Sequence, residues 1–198
     1  MSIKKITQAA MICAISGVFL LLDRQSAGLI ESLFFWIMPV PVLIYAVLYG
    51  ARDGLTLLIA QTLLAFLVAT PDKAILTFGS SLIGLSYGIA VYQKLPIRLA
   101  IIAAMVTSVL FYYFTMLFFA SFFGYDIYKE TDEILAWING FNSTEPVEPW
   151  VRQAAVFLAP ALTGILQGVV THFLAVVLLA RLRIANLPSR IWGRRKGK

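Results

Sequence analysis

The sequence predicts an all-α integral membrane protein built as a six-transmembrane-helix bundle, and three observations carry that expectation. Of the 198 residues, 60% are hydrophobic and 13% charged, about half the charge of an ordinary soluble domain, for which roughly 25% is usual. Segments free of Asp, Glu, Lys and Arg recur at 6–22, 32–51, 54–71, 74–93, 99–125 and 153–180, each near the roughly 20 residues that a helix needs to cross a bilayer. The basic residues gather on alternate sides of those segments, as they do when Lys and Arg are retained in the cytoplasm.

The first segment follows Lys4 and Lys5 and stops at Asp23-Arg24-Gln25. With no small-residue cleavage site followed by a soluble domain, it is expected to be a retained helix rather than a signal peptide. The second segment carries Met38-Pro39-Val40-Pro41 and ends at Tyr49-Gly50; Arg52-Asp53-Gly54 separates it from the third, and Pro71-Asp72-Lys73 separates the third from the fourth. Lys94-Leu95-Pro96 precedes the fifth. The fifth and sixth segments are long enough to tilt or to run past the lipid surface. Connections this short make successive helices antiparallel neighbours. No stretch is rich enough in Pro, Gly and Ser to act as a linker. One compact domain over 1–186, with an outer loop at 124–150, is therefore expected, followed by a basic tail at 187–198.

Orientation follows from the charges. With the N-terminus inside, the inner segments hold Lys4, Lys5, Arg52, Lys94, Arg98, Arg181, Arg183, Arg190, Arg194, Arg195, Lys196 and Lys198, twelve of the sixteen Lys and Arg, whereas every acidic residue except Asp53 falls outside. Both termini are thus expected in the cytoplasm of a multi-pass plasma-membrane protein. The net charge of +6 is an asymmetry between faces. The tail Arg190-Ile191-Trp192-Gly193-Arg194-Arg195-Lys196 suits an anchor on anionic lipid, and it is too short, and too little interleaved with aromatics, to bind nucleic acid.

Chemistry is sparse within the spans. No carboxylate, Lys or Arg lies inside them, so a driven ion pump has nothing with which to bind its charge. One cysteine, Cys13, and one histidine, His172, lie far apart in the chain and form neither a nucleophile–base pair nor a metal cluster. No enzymatic role, cofactor or metal is expected. His172 has two readings, a proton relay or a side chain hydrogen-bonded to a neighbouring helix. A passive channel would need a polar stripe longer than Gln61, Thr107, Ser108 and Gln167 provide.

Small residues recur at four-residue spacing: Ala10 and Ala14; Ser80, Gly84 and Gly88; Gly164 and Gly168. Residues so spaced share a helix face and admit a second backbone closely. For the fourth and sixth spans, packing inside the bundle is the expected use. For Ala10 and Ala14, with Gly17 on the neighbouring position, an external partner helix is an equal alternative. Ser80, Ser81, Tyr112, Tyr113 and Arg152 fall in the outer halves of their spans, as does the loop residue Trp137. They are candidates to line an outward-facing pocket with aromatic walls and a few hydrogen-bonding groups; an interfacial aromatic belt with interhelical hydrogen bonds accounts for them as well. In the outer loop, Thr131 to Ile138 followed by Gly140 reads as a short capped helix with an apolar stripe, suited to cover such a pocket.

The Ala10–Ala14 face, the proline-bearing second span and the turn Tyr49-Gly50-Ala51-Arg52-Asp53-Gly54 together resemble the substrate-binding S components of energy-coupling factor (ECF) vitamin transporters. The central region through Gly84-Leu85-Ser86-Tyr87-Gly88 is similar also to the YybS-like family of uncharacterised bacterial membrane proteins. The S-component resemblance implies a subunit that captures a vitamin-like nutrient from outside, and docks through Ala10 and Ala14 on a transmembrane coupling subunit whose ATPase subunits drive uptake. No Gly-x-x-x-x-Gly-Lys-Ser/Thr loop is present, so ATP hydrolysis falls to other chains. The alternative, in a different functional class, is a non-transporting membrane scaffold that gathers partners through its small-residue faces and basic tail.

Overall fold

The computed structural model describes residues 3–26, 36–124, 126–138 and 148–182. Within them lie seven helices and no strand: α1 (Ile3–Gln25), α2 (Pro39–Tyr49), α3 (Ala51–Val68), α4 (Pro71–Tyr92), α5 (Ile97–Phe123), α6 (Ile127–Ile138) and α7 (Pro149–Arg181). Five of these, α1, α3, α4, α5 and α7, are long and apolar enough to cross a membrane, and α2 is a shorter apolar helix. The expected second span, 32–51, is described only from Trp36 onward, and the basic tail at 187–198 lies outside the described residues.

Helix ends differ from the charge-free segments because a helix does not stop where its charges begin. The turn between α2 and α3 closes at Gly50, ahead of the Arg52-Asp53-Gly54 break, and Gly50 alone separates the two helices. Its φ of +88° is a conformation that a Cβ disfavours. Gly54 lies inside α3, where its missing side chain admits Leu85 and Ala46. Pro71 and Asp72 open α4 rather than separate it from α3, since a proline at the first helical position lacks only an N–H that has no partner there, and an acid favours the first turn. In α6 the helix starts four residues before Thr131. The Asp126 carboxylate accepts from the backbone N–H groups of Tyr128 at 3.1 Å and Lys129 at 3.2 Å, so Asp126 supplies the N-terminal cap, and Thr131 instead donates to the Ile127 carbonyl at 2.7 Å.

The centre of the bundle is α4, packed on α2, α3 and α5; α7 packs along α5 and also meets α2, α1 lies on α3, and α6 lies on α7. Although short, α2 is enclosed, with Val42, Leu43 and Ala46 fully buried. The main core joins Leu43 and Val47 of α2, Ile83 and Tyr87 of α4, Ala100 and Ala104 of α5, and Ala175 and Leu179 of α7. Glycines set the closest approaches. Gly84 lies on the Pro39 carbonyl, and Gly88 on the backbone of Leu43, so α2 and α4 run parallel. Gly164 lies on the backbone of Val109, and Gly168 on that of Met105, so α5 and α7 run antiparallel. The glycine stripes of α4 and α7 are therefore internal packing surfaces. Alternating helix directions leave two ends to the bundle: one carries α6 and the start of α4 and α7, and the other carries the Gly50 and Lys94 turns.

Candidate functional site

At the α6 end, Asp23 near the end of α1 is buried and pairs with Lys73 in the first turn of α4. Arg24 beside it donates to the Val68 carbonyl at the end of α3, 3.2 Å away. At the opposite end Lys5 pairs with Asp53, the Tyr45 hydroxyl donates to the Lys5 carbonyl at 3.0 Å, and the Tyr49 hydroxyl donates to Gln8. Between these ends the Gln61 amide donates to Ser16 at 2.8 Å and lies 3.6 Å from the Met38 sulfur, while Ser81 donates to the Gln61 carbonyl oxygen at 3.4 Å. Helix α1 is thus tied to its neighbours at both ends and at its middle. A hydrogen bond among buried polar groups fixes helix rotation, because lipid offers the separated groups no substitute for water.

The residues expected to line a pocket divide between two places. Ser81 lies in the Ser16–Gln61 network of α1, α3 and α4. Ser80, next to it and almost fully buried, donates to the Leu76 carbonyl of its own helix at 2.8 Å. On α5, the half-buried Tyr112 stands edge-on to Phe111, whose ring covers Gly79 of α4. Tyr113 turns to α7 and donates to the Phe157 carbonyl at 2.6 Å. Pro160, three residues on, lacks the N–H that would bond the Val156 carbonyl; the Tyr113 hydroxyl bonds the neighbouring Phe157 carbonyl. Arg152, at the start of α7, donates to Asp132 of α6 at 2.6 Å, which holds the amphipathic α6 against the end of the bundle. Trp137 lies in α6, with its side chain outside the described set. Tyr113 and Arg152 thus share the α7 side of the α6 end, and Ser80 and Ser81 belong to the interior of α4.

Ala10 and Ala14 are both exposed, in a stripe with Met11, Ile15 and Val18. Gly17, on the neighbouring position at the edge of that stripe, is buried against the Leu64 side chain of α3. His172 on α7 is engaged by Tyr87 of α4, hydroxyl to Nδ1, at 2.8 Å. Among the described residues no group of three or more His, Cys, Asp or Glu is placed to hold a metal ion.

Two features were not foreseen from the sequence. The Asp23–Lys73 pair joins residues assigned to separate loops. The fully buried hydroxyls of Ser108 and Thr171 have no hydrogen-bond partner among the described residues; in the sequence Ser108 stands out only as part of a short polar stripe.

A family model described as "Predicted membrane protein (DUF2232)" matches residues 14–138. The chain belongs to this family. The DUF2232 match runs from the Ala14 turn of α1 to the end of α6, and so covers Ser80, Ser81, Tyr112, Tyr113 and Trp137, while Ala10 and Arg152 lie beyond it. It accords with the YybS-like resemblance, and the family description names a membrane protein without an activity. Neither the curated proteins nor the solved structures gave a significant match. The family and the five apolar helices make this DUF2232 protein a multi-pass membrane protein.

Proposed function

We propose that this chain is the substrate-binding membrane subunit of an energy-coupling-factor type uptake system, capturing a small vitamin-like nutrient at the α6 end and delivering it to an ATP-driven coupling module made of other chains. In this reading the α6 end faces outward, as the distribution of Lys and Arg favours, and both termini are cytoplasmic. The observation that carries it is α1: Ala10 and Ala14 are exposed, on a helix tied to its neighbours at both ends. Small side chains offer lipid little contact area, and what they favour is the backbone of another helix. Support for the outer end comes from α6, held to α7 by Asp132 and Arg152, on the same helix to which Tyr113 bonds at Phe157.

The test replaces Ala10 or Ala14 with Trp in the full chain expressed in its native membrane. Since Ala10 and Ala14 are exposed, the variant is expected to melt as the parent does and to lose a co-purifying coupling subunit together with nutrient uptake. A variant that unfolds, or one that keeps both partner and uptake, refutes the reading. Loss of a partner with no nutrient taken up by the parent either would favour the scaffold role.

A further inference from the structure

The end of the bundle that carries the Gly50 and Lys94 turns has, among the described residues, the basic side chains of Lys4, Lys5, Arg52, Lys94, Arg98 and Arg181 and a single acid, Asp53. Lys5 takes the Asp53 carboxylate. The other five cations are exposed, and no carboxylate among the described residues pairs with them. Lys94, Arg98 and Arg181 belong to the corner where α5 begins and α7 ends. The register that sets Gly164 on Val109 and Gly168 on Met105, continued to that end, brings Ala175 level with Arg98, so Arg181 stands about 9 Å further along the bundle. Lys94 lies in the turn just before α5 with a φ of +61°, a conformation that favours Gly or Asn. The turn closes α4, with the Lys94 and Leu95 N–H groups donating to the Val91 and Ala90 carbonyls, each at 3.0 Å. A lysine gives up backbone preference there, and its exposed side chain makes no hydrogen bond or ion pair within the described protein in return. From Arg98 onward α5 presents an apolar stripe: Leu99, Ile102, Val106 and Leu110 follow at three- and four-residue steps, all exposed.

We propose that this corner, formed by the Lys94 turn, the start of α5 and the end of α7, binds anionic phospholipid. Lys94, Arg98 and Arg181 meet the headgroup phosphates, and the acyl chains lie along Leu99, Ile102 and Val106. The headgroup layer on each side of a bilayer is about 5–8 Å deep, and long Lys and Arg side chains bend along an apolar surface to reach it, so the three charges come to one layer despite their spacing along the bundle. Like charges gathered without a carboxylate raise the local potential until an anion enters. A zwitterionic phosphocholine head brings a cation of its own, whereas a head of net negative charge does not, so the cluster selects the anionic lipid. A soluble anion would meet the charges but gain nothing from the apolar stripe below them. Lipid binding at this corner is independent of the uptake role, and either experiment can fail while the other succeeds.

The test is native mass spectrometry of the full chain in neutral detergent, with equal amounts of phosphatidylglycerol and phosphatidylcholine added. The parent is expected to retain phosphatidylglycerol in excess, since each cation beside an anionic head is worth about fivefold in binding. Lys94→Asn/Arg98→Gln/Arg181→Gln removes the three charges, Asn being suited to the positive φ. It should lower the excess by at least about fivefold, the loss of one such charge, while melting as the parent does in detergent alone. Arg194→Gln/Arg195→Gln/Lys196→Gln, in the basic tail, should lower it less. A parent without preference, a corner variant that keeps it, or a tail variant that loses as much as the corner variant overturns the proposal. Displacement of the lipid by millimolar inorganic phosphate also overturns it, because the contact would then be with a free anion. Should the triple variant fail to fold, Lys94→Asn and Arg98→Gln singly give the same decision, each expected to lower the excess by about fivefold.

Discussion

Two glycine-to-alanine substitutions, chemically identical, should move stability in opposite directions. At Gly164 an added Cβ would stand 2.7 Å from both the Cα and the N of Val109, whereas carbon atoms in contact settle about 3.5–4.0 Å apart. Backbone has no rotamer by which to yield, so α5 must move by about 1 Å from α7, or the seam must tilt. Overpacking of this kind costs roughly 1–3 kcal/mol, against about 1 kcal/mol gained from the better helix propensity of alanine. At Gly17 the nearest atom is the Leu64 Cδ2, 3.1 Å away, the tip of a side chain that can rotate, so the propensity gain prevails. Gly164→Ala should therefore lower the thermal midpoint in detergent, and Gly17→Ala should leave it unchanged or raise it. If Gly164→Ala melts at or above the parent, or if the two variants shift together, the α5–α7 seam is not the backbone-on-backbone contact described here.

Asp23→Asn removes the carboxylate from a nearly buried ion pair with Lys73 and should destabilise the fold, by up to about 3 kcal/mol; chemical unfolding of the variant beside the parent checks it, and an unchanged midpoint refutes it. Tyr113→Phe deletes the hydroxyl that meets the Phe157 carbonyl, and should cost about 0.6–1 kcal/mol; thermal unfolding of the variant beside the parent checks it, and a midpoint at or above the parent's refutes it.

What the sequence made legible follows a physical divide. The all-α membrane class, the turn positions to within a few residues and the internal use of Gly84, Gly88, Gly164 and Gly168 depend on apolar length and on side-chain volume, both of which are local to the chain. Which polar residues meet does not. Asp23 and Lys73 fall in different loops by charge alone, and become a pair only because α1 and α4 end side by side. Ser80 and Ser81 are neighbours in sequence, yet successive helical residues point about 100° apart, so Ser81 reaches Gln61 while Ser80 bonds its own helix.

That rotation also bears on how the Ala10–Ala14 face is presented. In lipid, apolar surfaces on two helices do not drive each other together as they do in water, so polar bonds and close packing decide which face of a helix turns inward. Helix α1 has such bonds at three levels: Lys5 with Asp53 and Gln8 with Tyr49 near one end, Ser16 with Gln61 in the middle, and Asp23 with Lys73 near the other. A large turn of the helix about its axis would break all three levels at once. The outward position of the stripe is therefore set by the fold of this chain alone. A partner that docks on it meets a surface already formed, and its affinity bears no cost of turning α1 first.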